Sequence, residues 1–363
     1  MLSRVADSLY WINRYVERAD NFARFLENTI HLALDNEDQD AALWQPMLEA
    51  SGVSELFYQH SMPCDAPHCI EFLSRRLDNP SSIVCCLSSA RENARQIRDR
   101  ITTEAWEQLN EMHWLLQESS FWVQPLPEAL RWIRRNCALF YGVIDATQSH
   151  DHGWEFGQLG RWMERADKTS RLIDTHWLLS GGASQRGGDS LKEEQHWIGV
   201  LSCLGAYQMF RQHVGQPIDA PSVSGFLLLD AAFPRSVRHC ITAINDLLRR
   251  LMDDPGRDQQ LRHLDQLLDR LQSSADTRRR IFRRQADLMG MAQSLQGLGS
   301  SHELEWMAGL MHARWSHLSI SELLADGINP SIDTLQVDLN HLDDLIHQRY
   351  LVAATPLDAP ATP

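Results

Sequence analysis

Lysine is nearly missing from this chain. Of its 34 basic residues two are lysine, Lys168 and Lys192, and the rest are arginine. Two causes fit: genomic base composition, or a need for the bidentate carboxylate or phosphate pairing that arginine makes better than lysine. Long apolar runs are missing too; none approaches the ~18–20 residues of a membrane helix. The opening MLSRVADSLYW carries charges at Arg4 and Asp7 and no secretory apolar stretch. The expectation is a cytoplasmic protein without a membrane role. A basic excess is absent: the net charge is −14, which repels phosphate backbones and argues against nucleic-acid binding. No Walker or dinucleotide glycine pattern opens a helix, and no Gly-x-Ser-x-Gly elbow or Ser/His/Asp order is present. The seven cysteines are odd in number, which suits a reducing compartment better than a disulfide framework.

What is present is an ordinary globular composition, with 43% hydrophobic and 23% charged residues in 363. That length fits two domains or one large helical domain. Apolar residues recur with the helical period almost everywhere, and β-branched alternation is scarce. The pattern predicts helices over about 3–35, 41–58, 81–118, 127–148, 153–179, 191–214, 234–253, 258–297, 302–325 and 331–352. Breaks are predicted at Asn79-Pro80, Pro125-Pro127, Gly181-Gly182, Pro255-Gly256 and Asn329-Pro330. Ser190 and Glu193 form a capping-box pattern. Residues 353–363 read as a disordered tail.

The chain repeats itself. Arg14-Tyr15-Val16-Glu17-Arg18-Ala19-Asp20 reappears as Arg161-Trp162-Met163-Glu164-Arg165-Ala166-Asp167, and Arg24 as Arg171, at an offset of 147. Downstream, Trp44, Gly52, Phe57, Gln59 and His60 match Trp197, Gly205, Phe210, Gln212 and His213. Asp65-Ala66-Pro67 matches Asp219-Ala220-Pro221, and Pro80, Ser82 and Cys86 match Pro234, Ser236 and Cys240. The period is far too long for a solenoid. The expected fold is therefore all-α: a multi-helix bundle built from a tandem duplication with pseudo-two-fold symmetry, plus a helical C-terminal part. Its expected units are residues 1–147, 148–255 and 256–352, followed by the tail.

On a helical wheel, residues 9–26 present an apolar arc of roughly 200°, wider than the ~100° stripe of a surface helix. Arg18 falls inside that arc, and Arg165 does the same in the second copy. A guanidinium there needs an anionic partner or an exit to water. One reading is a buried pair of ion pairs, Arg18 with Glu164 and Arg165 with Glu17, which fixes register. The other is a polar pocket of two glutamates and several arginines, suited to a carboxylate, phosphate or amine, with Glu17 and Glu164 as acid/base candidates. Gly157 and Gly160 lie on the Glu164 side and permit close approach of a helix or a ligand.

A second constellation sets Arg91, Arg95 and Arg98 on one helix face; it reads as a solvated face or an anion-binding or docking face. In Phe233-Pro234-Arg235-Ser236-Val237 the proline suits a first turn. Arg235 and Ser236 then sit near a helix N-terminus, where anions are favoured. His60, Cys64, His68 and Cys69 match no standard zinc spacing. His150-Asp151-His152 reads as a polar loop opening the next helix, and His302, His312 and His317 as core or interface histidines. No metal site is expected.

Four ordered blocks, MLSRVADSLYWINRYVERAD, SSARENARQIRDRITTEAWEQLN, GWEFGQLGRWMERADKTSRLID and FPRSVRHCI, resemble the bacterial alpha-E family. The resemblance covers about residues 1–255 closely. It implies a gene context: a circularly permuted ATP-grasp protein similar to glutathionylspermidine synthase, encoded alongside or fused. A transglutaminase-like peptidase, and sometimes an amidohydrolase-like or proteasome-like protein, accompanies it. It therefore implies an accessory or substrate-binding role in ATP-dependent amide-bond formation, with ATP and magnesium on the partner and no cofactor in this chain. These 363 residues contain no ATP-grasp portion, so the stand-alone form is implied. Glu17, Arg18, Glu164 and Arg165, with Arg14 and Arg161 beside them, carry over as motif residues. Arg91, Asn93 and Arg95 match the second block, and Arg235 and Ser236 the fourth. A free-standing enzyme using the Glu-Arg pocket and a structural scaffold remain the alternatives.

Overall fold

The computed structural model describes residues 3–34, 40–179, 190–215, 217–252 and 301–351. Among the described residues every regular element is a helix, and no helix is long and apolar enough to cross a membrane. Two long helices form the centre, α1 (Ser3–Leu34) and α8 (His152–Leu179). At 1.5 Å per residue α1 runs about 48 Å. Val16, Ala19, Phe22 and Leu26 of α1, and Leu159, Ala166 and Ile173 of α8, are buried. Sequence alone makes these positions apolar at helical spacing, and the two stripes meet.

The remaining helices are α2 (Asp40–Ser51), α3 (Ser54–Gln59), α4 (Ala66–Ser74), α5 (Ile83–Gln96), α6 (Thr103–Gln117) and α7 (Leu126–Thr147). After α8 come α9 (Ser190–Cys203), α10 (Tyr207–His213), α11 (Ala220–Leu229), α12 (Val237–Leu251), α13 (Ser301–His317), α14 (Ile320–Asp326) and α15 (Ile328–Ile346). The packing is reciprocal. α5 lies on α1 and α12 on α8, while α2 crosses to α8 and α9 crosses to α1. α6 packs on α5 and α7 on α1; α13 packs on α12 and α15 on α8. The C-terminal helices thus take, on α12 and α8, the places that α6 and α7 take on α5 and α1.

Positions matched in the sequence do matching work. Ser82 and Ser236 each cap a helix, accepting from Cys85 N and His239 N. Asp65 and Asp219 cap α4 and α11, each followed by a first-turn proline. These two helices were not expected from periodicity, yet an Asp N-cap followed by proline is a start signal. Gly52 and Gly205 have φ of +79° and +62°, the left-handed region that favours glycine. They split the expected 41–58 and 191–214 helices. The expected 81–118 helix breaks before Thr102, which accepts from Ala105 N to start α6. The 302–325 helix breaks at Ser319, which forms a capping box with Glu322. The predicted helix at 258–297, the breaks at Gly181-Gly182 and Pro255-Gly256, and the tail lie outside the described residues.

Two glycines let α8 approach α1 backbone to backbone. A Cβ on Gly160 would collide with the Tyr10 carbonyl oxygen, and one on Gly157 would lie 2.6 Å from Asn13 Nδ2. Helix packing, not a ligand, occupies this space. Gly142 of α7 has nothing within 4 Å of the equivalent point. Gly160→Ala should therefore destabilise by about 1–3 kcal/mol through overpacking, while Gly142→Ala should stabilise by about 0.5–1 kcal/mol. Urea denaturation of the two variants checks this; shifts of the same sign would refute the close crossing.

Candidate functional site

The α1–α8 crossing buries both motif glutamates completely. Arg18 of α1 donates from Nε and Nη2 to Glu164 of α8 at 2.7 and 2.8 Å. Arg165 of α8 donates from Nε and Nη2 to Glu17 of α1, both at 2.8 Å. Each pair is bidentate, the strongest form of the interaction. Both pairs cross between helices, so each motif arginine takes its carboxylate from the opposite helix. The wheel positions of Arg18 and Arg165 are explained: each guanidinium sits in an apolar arc because the opposite helix delivers a carboxylate there.

Around each pair lies a second ring of charge. Glu164 also accepts from Arg14 Nε at 3.1 Å, and Lys168 Nζ is 3.8 Å away. Arg14 Nη1 reaches Asp343 Oδ2 of α15 at 2.8 Å, and the Tyr10 hydroxyl donates to the other Asp343 oxygen. His347 packs edge-on against Tyr10 and Trp11 over this site. Lys168 donates to Asp167 and to the Ser51 carbonyl at 2.9 and 3.1 Å, and Arg171 also holds Asp167. On the other side Arg235 Nη1 lies 3.1 Å from Glu17, and it donates to Asn21 Oδ1 at 2.7 Å. Its Nη2 reaches Asp20 at 2.5 Å, and Arg24 reaches the same carboxylate at 2.8 Å. Arg161 Nε is 3.7 Å from Glu17, and its guanidinium lies 3.8 Å from the centroid of the Tyr141 ring of α7.

The electrostatics hold both glutamates ionised. Burial acts to raise the Glu17 pKa, but Arg165, Arg235 and Arg161 overcome it and leave it far below the usual 4.5. Glu164 is depressed in the same way, against its burial, by Arg18, Lys168 and Arg14. Burial pushes the nearby thiols of Cys86 and Cys240 up to about 12, so neither is a ready thiolate nucleophile. A carboxylate enclosed in a bidentate pair and this strongly acidic is poorly suited to shuttle protons near neutral pH.

The other candidates divide. Arg235 joins the network, whereas Ser236 spends its hydroxyl on capping α12 and on the Asp230 carbonyl. Arg91 lies elsewhere, on α5, stacked between Trp106 and Trp114 of α6 at 5.4 and 5.6 Å and donating to Asn110. Arg95 pairs with Glu92 on the surface, and Asn93 is half-buried on the same helix. Asp151 caps the start of α8 through Gly153 N at 2.8 Å. His68 is hydrogen-bonded to Asp65, and His60 is near Asp78. Lys168, Asp343 and Tyr141 were not anticipated. The rarity of lysine, and its place one residue after the second Glu-Arg-Ala-Asp, was a signal for Lys168. Nothing local marks Asp343 or Tyr141.

These features define an all-α protein whose signature is a Glu-Arg step on each of two crossing helices. The chain belongs to the Alpha-E family, described as a predicted alpha-helical domain with a conserved ER motif, whose family model matches residues 1–300. It is similar to uncharacterised proteins of Mycobacterium bovis and of two strains of Mycobacterium tuberculosis. Each is 25% identical over 292 residues, 75% of this chain and 32% of theirs. The chain thus spans about a third of the length of the curated relatives it matches. No solved structure matches it.

Because the folded glutamates are more acidic than unfolded ones, their contribution to stability is complete above pH about 4.5. It is lost as the pH falls toward their folded values. The part of the melting temperature that Glu17 and Glu164 supply, read as the difference between wild type and Glu17→Gln, should hold level from pH 7 to about 5 and shrink below 4, on top of the loss below pH about 6.5 that buried His176 brings to both. Glu17→Gln, which leaves Arg165 without its carboxylate, should cost about 3–5 kcal/mol at pH 7 and flatten the acid limb. A level acid limb in the wild type would contradict this assignment.

Proposed function

We propose that this chain is an accessory or substrate-binding subunit of an ATP-grasp-dependent amide-bond-forming system, acting in peptide synthesis or modification. One observation carries the non-catalytic half of this reading: Glu17 and Glu164, the motif carboxylates, are fully buried and spent in bidentate pairs with Arg165 and Arg18. No free base is left in the motif. The chain then contributes a rigid, charge-lined body, and the bond-forming chemistry belongs to another protein. The alpha-E resemblance points to a circularly permuted ATP-grasp protein, which would supply nucleotide and magnesium, and to a transglutaminase-like peptidase in the same system. The mycobacterial relatives support a cooperative arrangement: the matched segment is 32% of their length, so there it is joined to a much longer chain.

A carboxylate is both the group an amide ligase activates and the group an arginine cluster receives. The surplus arginines around the crossing fit a role in receiving or orienting the acid component. The buried pairs equally favour a second reading, a scaffold whose Glu-Arg motif serves stability alone.

The tagged full-length chain, purified from its native cells, should bring down an ATP-grasp protein and change that protein's rate of ATP turnover. Absence of association together with unchanged turnover would sink the subunit reading. Association without any effect on turnover would favour the scaffold.

A further inference from the structure

The two charge clusters are built alike but are not filled alike. Arg14 and Arg161 stand at equivalent positions of the repeated motif, one on α1 and one on α8. Arg14 donates to Glu164 and to Asp343, which α15 brings in from the C-terminal part. Among the described residues Arg161 has no such second carboxylate. α7 occupies on its side the place that α15 occupies on the other, and it presents Tyr141 instead of an acid.

The carboxylates that act on Arg161 are Glu17 and Asp20, and neither hydrogen-bonds it. Glu17 is held by Arg165 and Arg235; one Asp20 oxygen takes both Arg24 and Arg235, and the other is buried without a hydrogen bond. The nearest Glu17 oxygen is 3.7 Å from Arg161 Nε, beyond hydrogen-bond distance, and that buried Nε has no acceptor. Tyr141 covers a face of the guanidinium. A ring over the face attracts the charge but accepts none of the in-plane N–H groups. The Arg161 side chain remains 22% exposed, so its outer edge is reachable from solvent.

Counting charges gives the same answer. On the Glu164 side Arg14, Arg18, Lys168 and Arg171 face Glu164, Asp167 and Asp343, four against three. On the Glu17 side Arg24, Arg161, Arg165 and Arg235 face Glu17 and Asp20, four against two. Burial and the neighbouring Arg165 pull the Arg161 pKa down, whereas Arg14 is driven up despite its burial by Tyr10, Glu164 and Asp343. Burial also lowers Arg235, to about 10. A cluster of buried cations short of one negative charge is a receptor for an anion.

We propose that Arg161 binds the carboxylate of a small ligand or of a peptide terminus, which takes on the Glu17 side the place that Asp343 holds on the Glu164 side. The ligand class is a carboxylate because the equivalent arginine takes one, and because a single negative charge brings the count to four against three. Arg161 makes the contact from its guanidinium edge, with Tyr141 behind it fixing the plane. Arg165 and Arg235 stay with Glu17 and supply the positive field. This deepens the substrate-binding reading above and names its site, and the ligand experiment uses this chain alone. It can therefore fail while association with an ATP-grasp protein stands, and the reverse.

The test is thermal denaturation of the full chain in sodium acetate against sodium chloride at equal ionic strength, with sodium phosphate as a third arm. Acetate at about ten times its Kd should raise the wild-type melting temperature by roughly 2–3 °C over chloride. Arg161→Gln removes an under-paired cation, so it should melt no lower than wild type in chloride and should lose the acetate gain. Arg161→Lys, which keeps the charge but not the planar fork, should retain only part of it. Asp343→Ala opens the second site by design and should show a larger acetate gain than wild type. No acetate gain in the wild type, an equal gain in Arg161→Gln, or a gain from phosphate but not from acetate would each overturn the proposal.

Discussion

The exchange of charge between α1 and α8 is the constraint on which the rest of this structure rests. Each helix carries a motif glutamate and a motif arginine, and the bidentate partner of each comes from the other helix. Buried ion pairs add little net stability against a well-packed apolar alternative, because desolvation offsets most of the attraction. What they enforce is register. Sliding α8 by one turn would move Arg165 about 5.4 Å from Glu17 and at the same time part Arg18 from Glu164. Gly157 and Gly160 bring the backbones close enough for the crossing to close. Motif and glycines therefore belong to one device.

Around that device the molecule is nearly even-handed. α5 and α12 cover the two sides, with Cys86 beside Arg18 and Cys240 beside Arg165. The departures from evenness are local. A cation comes from Lys168 on the α8 helix itself on one side and from Arg235, at the head of α12, on the other. Their counterparts in the repeat are Asn21 and Ser81, so each side gains its extra cation from a different place. The outer position is filled by the Asp343 carboxylate on one side and by the Tyr141 ring on the other. The two sides of the crossing, built on matching motifs, are in this way chemically distinct.

Much of this was legible in the sequence, and the reasons differ by residue. The all-α class followed from apolar spacing, and the placement of Arg18 and Arg165 inside an apolar arc called for counter-charges across a helix interface. The same wheel set Glu17 on the polar side, where taken alone it reads as exposed; its complete burial follows only from the counter-charge that Arg165 demands. Periodicity failed where short helices meet, because it runs unbroken through Gly52 and Gly205 while the backbone turns there. It missed α4 and α11 because helices of 9 and 10 residues give too few turns for a stripe to stand out. Their Asp and Pro starts were the better signal. Arg91 and Arg95 share a motif block with no part of the charge network: Arg91 turns toward the tryptophans of α6, and Arg95 pairs with Glu92 on the surface. Asp343 was illegible in principle: it is one acid in an acidic C-terminal helix, and only the tertiary fold carries it to Arg14.

The separation in sequence of the paired charges has a consequence for how the protein comes into being. Glu17 waits for Arg165 and Arg235, and Arg14 waits for Glu164 and Asp343. A nascent chain leaves the ribosome N-terminus first, so the first helix is synthesised long before its cross-helix counter-ions exist, although Asp20 and Arg24 pair within it. Until then its apolar arc cannot close over Arg18 without burying a bare charge. The earliest helix made is thus among the last to reach its final environment. A fragment ending at Thr147 would hold both members of its motif with neither cross-helix partner.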